Sequence, residues 1–434
     1  MPNPDTVTIA TAPLIRGIRR WDLVALMINA IVGAGIFGLP STVFGLTNTY
    51  SLFAYLLCAV LIILIVLCFA ELTGRFADTG GPYLYAREAF GGVTGFEVGW
   101  LLWLARPTAF AALCNLFVGY LAFFWPAAST GAPRVVVITA IVVVLTTINI
   151  AGVRTAALWT DVFTVAKLIP LLLFVAIGVF YVDPQNFSLQ EQPDAGSFSM
   201  AVLLLVFAFS GFEMPTVSAG ETKDPQRQMP FALFTAIAVV AVLYMLIQFV
   251  CIGTLPELAQ SQRPLADASR RFIGPAGAAM MSIGALVSIF GTLNTITLAG
   301  PRILFAMGER KQLPAFFAAT HRRFHTPHAA ILVSAATMLV LSLAGTFISA
   351  LTISTIIRLI TYVTSCAAVL VLRRKTGLPA GFAVPGATVV VVAALILCAW
   401  LLSNTAWNEI RTAGLAALVG LIFWRVARWS DGVR

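Results

Sequence analysis

The sequence predicts an all-α membrane protein with twelve transmembrane helices, of which the first ten form an inverted repeat of five plus five. Of its 434 residues, 59% are hydrophobic and 10% are charged, and the mean hydropathy is +0.94. Soluble domains carry about 25% charged residues. Twelve windows of about 20 apolar residues follow one another along the chain. The first and sixth windows each contain a glycine-rich helix break, as expected for corresponding helices of two related halves.

The apolar windows divide the chain into three regions. Residues 1–18 are a predicted cytoplasmic N-terminal tail, and residues 19–375 hold the first ten helices as the repeats 19–182 and 198–375. Residues 376–434 hold the last two helices and a short cytoplasmic C-terminus. The predicted spans are residues 21–46, 49–73, 94–125, 134–150, 157–182, 198–220, 229–254, 275–307, 328–345, 349–372, 384–403 and 406–428.

Lysine and arginine residues lie mostly on one side of this predicted topology. With both termini inside the cell, the inner segments hold 18 of the 27 Lys and Arg residues and the outer loops hold five. Because positive residues favour the cytoplasmic side, we expect both termini on the cytoplasmic face of the cell (inner) membrane, with the lipid bilayer around the helices. The net charge of +9 follows from this bias, so it predicts no nucleic-acid partner.

The first span contains the sequence Gly33-Ala34-Gly35-Ile36-Phe37-Gly38, which matches the dinucleotide-binding pattern G-x-G-x-x-G. That pattern binds phosphate between a strand and a helix, with an acidic residue about 20 positions later. Here it lies in the apolar run 23–44, and the next acidic residue is Glu71. Each glycine weakens a helix by about 1 kcal/mol relative to alanine. The motif therefore predicts a helix break whose backbone groups need other partners.

The sixth span contains a second break, in the sequence Phe207-Ala208-Phe209-Ser210-Gly211-Phe212-Glu213-Met214-Pro215. An unwound turn exposes N–H groups at one end and C=O groups at the other, so it binds an anion beside a cation. A zwitterionic α-amino acid fits such a pair of sites. Its carboxylate would accept from N–H groups of the first break, and its ammonium would donate to carbonyls of both breaks. Close helix packing on small residues is the alternative. The predicted substrate site comprises Ile31, Gly33, Ala34, Gly35, Phe207, Ala208, Phe209, Ser210, Gly211 and Phe212.

Besides the two breaks, the sequence contains Trp21-Asp22, Gly220-Glu221-Thr222-Lys223-Asp224-Pro225-Gln226-Arg227-Gln228-Met229-Pro230, and Arg302-Ile303-Leu304-Phe305-Ala306-Met307 followed by Leu313-Pro314. Together these motifs resemble the amino acid, polyamine and organocation (APC) transporter superfamily over about residues 18–375. The resemblance implies a leucine-transporter-like fold with discontinuous helices 1 and 6, in which the glycine-rich first span and the Gly-Phe-Glu sixth span bind an amino acid. It also implies secondary active transport by alternating access.

Lys167 lies about ten residues, or roughly 15 Å, into the fifth span, near the expected midplane of the bilayer. The resemblance implies that it replaces the sodium ion held between the first, fifth and eighth spans of sodium-coupled relatives. Its ammonium would then bond carbonyls near Gly33 and the hydroxyls of Ser288 or Thr292. Two transport modes stay open. In proton symport this lysine would titrate during transport, and in substrate exchange it would stay charged throughout. A structural ion pair is the alternative.

Arg106 in the third span and Arg358 in the tenth add two permanent charges at membrane depth, where ionisable residues are costly and indicate function. Glu213, directly after the second break, is the acidic residue that the sequence places at the same depth. Arg106 or Arg358 pairs with Glu213 or with carbonyls, or contacts an anionic group of the substrate, so both are candidates for specificity. For Glu213, gating, a proton path and neutralisation of an arginine are the open roles.

Other function classes lack support in the sequence. His321, His325 and His328 have a spacing that suits a metal on a helix, but Pro327 interrupts that helix. No metal site, cofactor or enzymatic activity is therefore predicted. A channel needs a continuous polar face or a filter motif, and neither is visible. The predicted substrate is an amino acid, with a related amine, a polyamine or an acidic amino acid as alternatives and with protons as a candidate coupling partner.

Overall fold

The computed structural model describes residues 19–33, 35–76, 81–151, 167–188, 192–216, 222, 224–321, 324, 326–375 and 382–430. The predicted tail at residues 1–18 lies outside these ranges, within which α-helices dominate. In chain order they are α1 (Arg20–Ile31), α2 (Gly35–Thr47), α3 (Ser51–Arg75), α4 (Gly81–Phe90), α5 (Gly92–Leu121), α6 (Gly131–Ala151), α7 (Lys167–Tyr181), α8 (Ala195–Phe209), α9 (Glu213–Thr216), α10 (Pro225–Thr254), α11 (Pro264–Phe272), α12 (Pro275–Glu309), α13 (His328–Ala344), α14 (Phe347–Lys375), α15 (Ala387–Ser403) and α16 (Trp407–Ser430).

Many of these helices are long and apolar enough to cross a membrane. Among the described residues there are six such segments, counting α2 and α3 as one, and seven if the bent pair α15 and α16 forms a single span. Helices α7, α8 and α13 are apolar but shorter. The chain is therefore an all-helical, multi-pass membrane protein, while the count of twelve spans stays a prediction.

The outer surface of the bundle is apolar, as a lipid environment requires. On α15, Val389, Val392 and Ile396 follow a helical spacing and are all exposed. On α6, Val136 and Val143 are exposed in the same way. Soluble monomers rarely expose continuous apolar faces, so these helix faces are the expected lipid contacts.

A proline inside α12 shows how the bundle satisfies freed backbone groups. Pro301 has no N–H, so the carbonyl of Thr297, four residues earlier, loses its helical donor. The side chain of Asn149 on α6 donates instead, with Nδ2 2.7 Å from the Thr297 oxygen. This replacement is what a bilayer demands, because lipid offers no hydrogen bonds.

Packing between helices brings the two predicted breaks together. Helix α5 packs against α12, α13 and α14, while α1 packs against α10 and α2 packs against α8. The gap between α1 and α2 and the gap between α8 and α9 therefore meet inside the bundle. The two gaps lie in the first and sixth predicted spans, where the sequence predicted helix breaks.

Candidate binding site at two helix breaks

The first break is short and sharply defined. The N–H of Val32 still donates to the carbonyl of Ile28 at 2.7 Å, and the N–H of Gly33 turns back to the carbonyl of Ile31 at 2.6 Å. Helix α2 then begins at Gly35, whose Cα lies so close to α8 that an added Cβ would be 3.2 Å from the Cα of Ala208. The predicted site residue Ala34 lies outside the described residues.

Gly38 belongs to α2 and not to the break, which corrects the sequence interpretation of the six-residue motif. A Cβ at this position would lie 2.8 Å from Cδ1 of Leu116 and 2.9 Å from Cζ of Phe347. The alternative explanation, close packing on a small residue, is therefore the right one for this glycine.

The second break touches the first. Helix α8 ends at Phe209, and both the N–H and the hydroxyl of Ser210 donate to the carbonyl of Phe207, at 3.2 and 2.7 Å. Gly211 follows with φ of +116°, and a Cβ there would lie 2.3 Å from the carbonyl oxygen of Ala30. Both the backbone conformation and the contact exclude any side chain. Gly211 therefore allows the second break to pack directly on the last turn of α1, beside the first break.

A tyrosine that the sequence reasoning missed joins the two breaks. The hydroxyl of Tyr244 on α10 lies 3.2 Å from the carbonyl oxygen of Ile31 and 3.3 Å from that of Ala208. These carbonyls belong to the set expected to receive a substrate ammonium, so a protein donor already engages part of that set. Because a buried tyrosine hydroxyl needs a partner, a tyrosine inside an apolar span was the available signal.

A cavity of about 360 Å³ opens along the breaks, a size typical of small-molecule sites. It continues along α1 to Leu23 and Leu26. The predicted site residues that line it are Ile31, Gly33, Gly35, Arg106, Lys167, Phe207, Ala208, Ser210, Gly211, Ser288, Thr292 and Arg358.

Two predicted aromatic residues lie elsewhere. The ring of Phe209 packs edge-on against Tyr244 with centroids 5.2 Å apart, and that of Phe212 packs against Phe69 and Tyr362. Both side chains are fully buried, and neither lines the cavity. Both rings pack against other aromatic side chains away from the cavity, whereas Phe207 lines it.

Lys167 reaches the first break from α7. Its Nζ donates to the carbonyl oxygen of Asn29 at 2.6 Å, four residues before Gly33, and the side chain is buried. Across the cavity, the Thr292 hydroxyl donates to the carbonyl of Ser288 at 2.9 Å, while the buried Ser288 hydroxyl has no hydrogen-bond partner in the described chain. No carboxylate of the described residues pairs with this lysine, so the ion-pair alternative finds no partner here.

Glu213 pairs with Arg358. The guanidinium Nη1 of Arg358 donates to Oε1 of Glu213, while Oε2 accepts from the hydroxyl of Tyr362 at 3.1 Å and from the N–H of Gly211 at 2.8 Å. Arg358 and Glu213 are both buried. The carboxylate thus fixes the turn of the second break to α14, and pairing with an arginine was one of the roles predicted for it.

Arg106 lines two cavities. It lines the cavity at the breaks and a second one of about 440 Å³, which is also lined by Glu213, Arg302 and Arg310. The Arg106 side chain is 6% exposed. Of the cations that the sequence placed at membrane depth, Arg358 has a carboxylate partner and Arg106 has none among the described residues.

Metal ligation finds no support in the described residues, where no three His, Cys, Asp or Glu side chains form a possible metal site. His325, one of the three histidines considered from the sequence, lies outside those residues.

The amino-acid sequence matches a known family along almost the whole chain. A family model described as Amino acid permease covers residues 18–424. The chain belongs to this amino acid permease family. The resemblance to the APC superfamily is confirmed by this match and by the named permeases below.

Curated relatives of this permease cover nearly its full length. A serine/threonine exchanger, SteT of Bacillus subtilis, is 30% identical over 91% of this chain and 92% of its own. The methylthioribose transporter of the same organism is 28% identical over 89% and 88%. Its branched-chain amino acid permease BcaP is 26% identical over 95% and 92%. These relatives are named as transporters and permeases, not as enzymes.

Proposed function

We propose that this permease is a sodium-independent secondary transporter of α-amino acids that works by alternating access. The contact of Gly211 with Ala30 carries the proposal, because it holds the second break against the end of α1, and residues of both breaks line one cavity. Paired breaks at the midplane are the usual binding architecture of inverted-repeat transporters. The twelve spans, the repeats 19–182 and 198–375 and the cytoplasmic termini in the cell membrane belong to the same proposal.

The substrate would lie between the breaks. Its carboxylate would accept from N–H groups at the start of α2, from Gly35 onward, where the helix dipole favours an anion. The N–H of Gly33 already donates to the carbonyl of Ile31. The substrate ammonium would be bound by carbonyls at the ends of α1 and α8. SteT and BcaP are named for amino acids, but another relative is named for methylthioribose. Family membership alone therefore does not identify the substrate.

Lys167 would take the place of a coupling ion. Its ammonium already bonds the carbonyl of Asn29 beside the first break, so it supplies positive charge where sodium-coupled relatives bind sodium. Proton symport and exchange are both compatible with this arrangement. The cavity extends toward the start of α1, while α2 is packed tightly at Gly38. With cytoplasmic termini, this conformation would be open to the inside.

Uptake of radiolabelled amino acids into proteoliposomes tests this function. We expect saturable uptake that is unchanged when sodium is replaced by choline, and its loss in Lys167→Ala. Lys375→Ala is the matched control, since its Nζ also bonds a backbone carbonyl, that of Ala89 at 2.8 Å, far along the sequence from the breaks. Sodium-dependent uptake would refute the role of Lys167, and a non-saturating current would indicate a channel.

A further inference from the structure

Arg106 carries a charge that has no ion-pair partner among the described residues. Its side chain is 6% exposed, its Nε has no hydrogen-bond partner, and no hydrogen bond or ion pair joins its guanidinium to any described residue. Arginine has five donors and stays charged in proteins. An unpaired cation at membrane depth is costly and indicates a functional contact.

The neighbouring acceptors are engaged by other donors. Glu213, which lines the second cavity together with Arg106, accepts from Arg358, Tyr362 and the N–H of Gly211. The carbonyl of Ala105, next to Arg106 in α5, accepts from the hydroxyls of Ser354 and Thr108, each at 3.1 Å. None of these acceptors in the described chain is hydrogen-bonded to Arg106.

The stem of Arg106 is held in place. A Cβ added at Gly300 on α12 would lie 3.5 Å from Cβ and 3.8 Å from Cγ of Arg106, so the two helices pack closely around the stem. Arg106 and Met214 each line both cavities. A substrate in the cavity at the breaks would therefore lie beside Arg106.

The charge of the cavity at the breaks is one-sided. Three cations line it, namely Arg106, Lys167 and Arg358, and its lining contains no Asp or Glu among the described residues. Glu213 offsets Arg358 from outside this cavity. Arg106 and Lys167 remain without a carboxylate, so a ligand with net negative charge would improve the balance more than a neutral zwitterion.

We propose that Arg106 binds a second anionic group of the substrate, so that the transported class is α-amino acids with an acidic side chain. This inference rests on the proposed function, because it assumes that the α-carboxylate and ammonium occupy the breaks. Arginine binds a carboxylate through two parallel hydrogen bonds. Arg106 is thus a specificity-determining residue, placed to recognise the end of the side chain.

Binding to the purified protein in detergent, measured by ligand-induced thermal shift, tests the proposal. The probes are L-glutamate and L-aspartate against L-glutamine and L-asparagine, which have nearly the same shape without the charge. We expect the wild-type protein to bind the acids about 10- to 100-fold more tightly than the amides, the range for a hydrogen bond to a charged group. Arg106→Gln removes this preference, and Arg106→Lys retains part of it.

Arg87→Gln is the control for loss of an arginine. Its side chain is 49% exposed, and it lines neither cavity, so we expect the acid preference to be unchanged. A wild-type protein that binds the amides as well as the acids overturns the proposal, and so does an Arg106→Gln variant that keeps the preference. If no amino acid binds the wild-type protein, the proposed function itself fails, which distinguishes the two outcomes.

Discussion

Two buried carboxylates, Glu71 and Glu213, each bind an arginine of α14 but serve different parts of the molecule. Glu71 accepts from Nε and Nη2 of Arg373 at 2.7 and 2.6 Å, from Arg75 at 2.9 Å and from the N–H of Val384 at 2.9 Å. Glu213 accepts from Arg358, from a tyrosine hydroxyl and from the backbone of the second break. Both carboxylates accept from an arginine of α14 and from a backbone N–H, but Glu71 has a second arginine where Glu213 has a tyrosine.

The surroundings of the two pairs differ. The Arg373 side chain is 32% exposed, whereas that of Arg358 is 7% exposed. Glu71 lies at the end of the unbroken helix α3 and ties it to α14 and to the segment before α15. Glu213 begins α9, a helix of four residues directly after the break. A similar ion pair is therefore a fixed anchor at one site and part of an unwound segment at the other.

Glu213→Gln is expected to have the largest effect, because it leaves Arg358 buried without a counter-charge. Removing one partner of a buried pair costs about 3–5 kcal/mol. The free energy of unfolding in detergent should fall by that amount, and uptake should be lost because the second break loses its tie to α14. In the double variant Glu213→Gln with Arg358→Leu, stability should partly recover while uptake stays absent. Recovery of uptake would contradict a role of this pair in the break.

Glu71→Gln is expected to have a smaller effect. Several charged hydrogen bonds are lost, but Arg373 can turn toward solvent or lipid headgroups from its partly exposed position. We expect a loss of about 2–3 kcal/mol in the free energy of unfolding. Uptake per folded molecule should stay at the wild-type level, measured at matched amounts of reconstituted protein. If Glu71→Gln abolished uptake as completely as Glu213→Gln, the claim that Glu71 serves stability alone would be wrong.

The parts of the site that the sequence reveals are those that depend on local chemistry. The breaks at Gly33 and Gly211 can be predicted because glycines and the nearby Pro215 interrupt apolar windows. Lys167 and Arg106 can be predicted as functional residues because a charge inside a span is costly. Helices α1 and α8 end where these local signals lie, at Ile31 and Phe209.

The remaining features depend on contacts between residues far apart in the chain. Arg358 and Glu213 are 145 positions apart, and the sequence left either arginine as the possible partner of Glu213. Gly38 has the same local signal as Gly33, but its role is set by Leu116 and Phe347 on other helices. Helix packing, which local composition does not encode, separates a glycine in a break from a glycine in a packed helix.

Tyr362→Phe is expected to have the smallest effect and measures how much of the Glu213 site depends on hydrogen bonding alone. The substitution removes one of the donors to Oε2 and leaves the N–H of Gly211 and the charge of Arg358 in place. We expect a loss of about 1.5 kcal/mol, the lower end for a hydrogen bond to a charged group. Uptake should be reduced but present.

Tyr55→Phe is the matched control for this last prediction, because the buried Tyr55 hydroxyl has no hydrogen-bond partner in the described chain. Its removal should leave the free energy of unfolding unchanged or slightly raised. If Tyr362→Phe were as neutral as Tyr55→Phe, the ion pair with Arg358 and the N–H of Gly211 would be sufficient to hold Glu213. The ion pair with Arg358 would then be the contact that ties the second break to α14. Arginines from two helices bind Glu71, and Glu213 would differ from it in the burial of its arginine partner and not in the number of its hydrogen bonds.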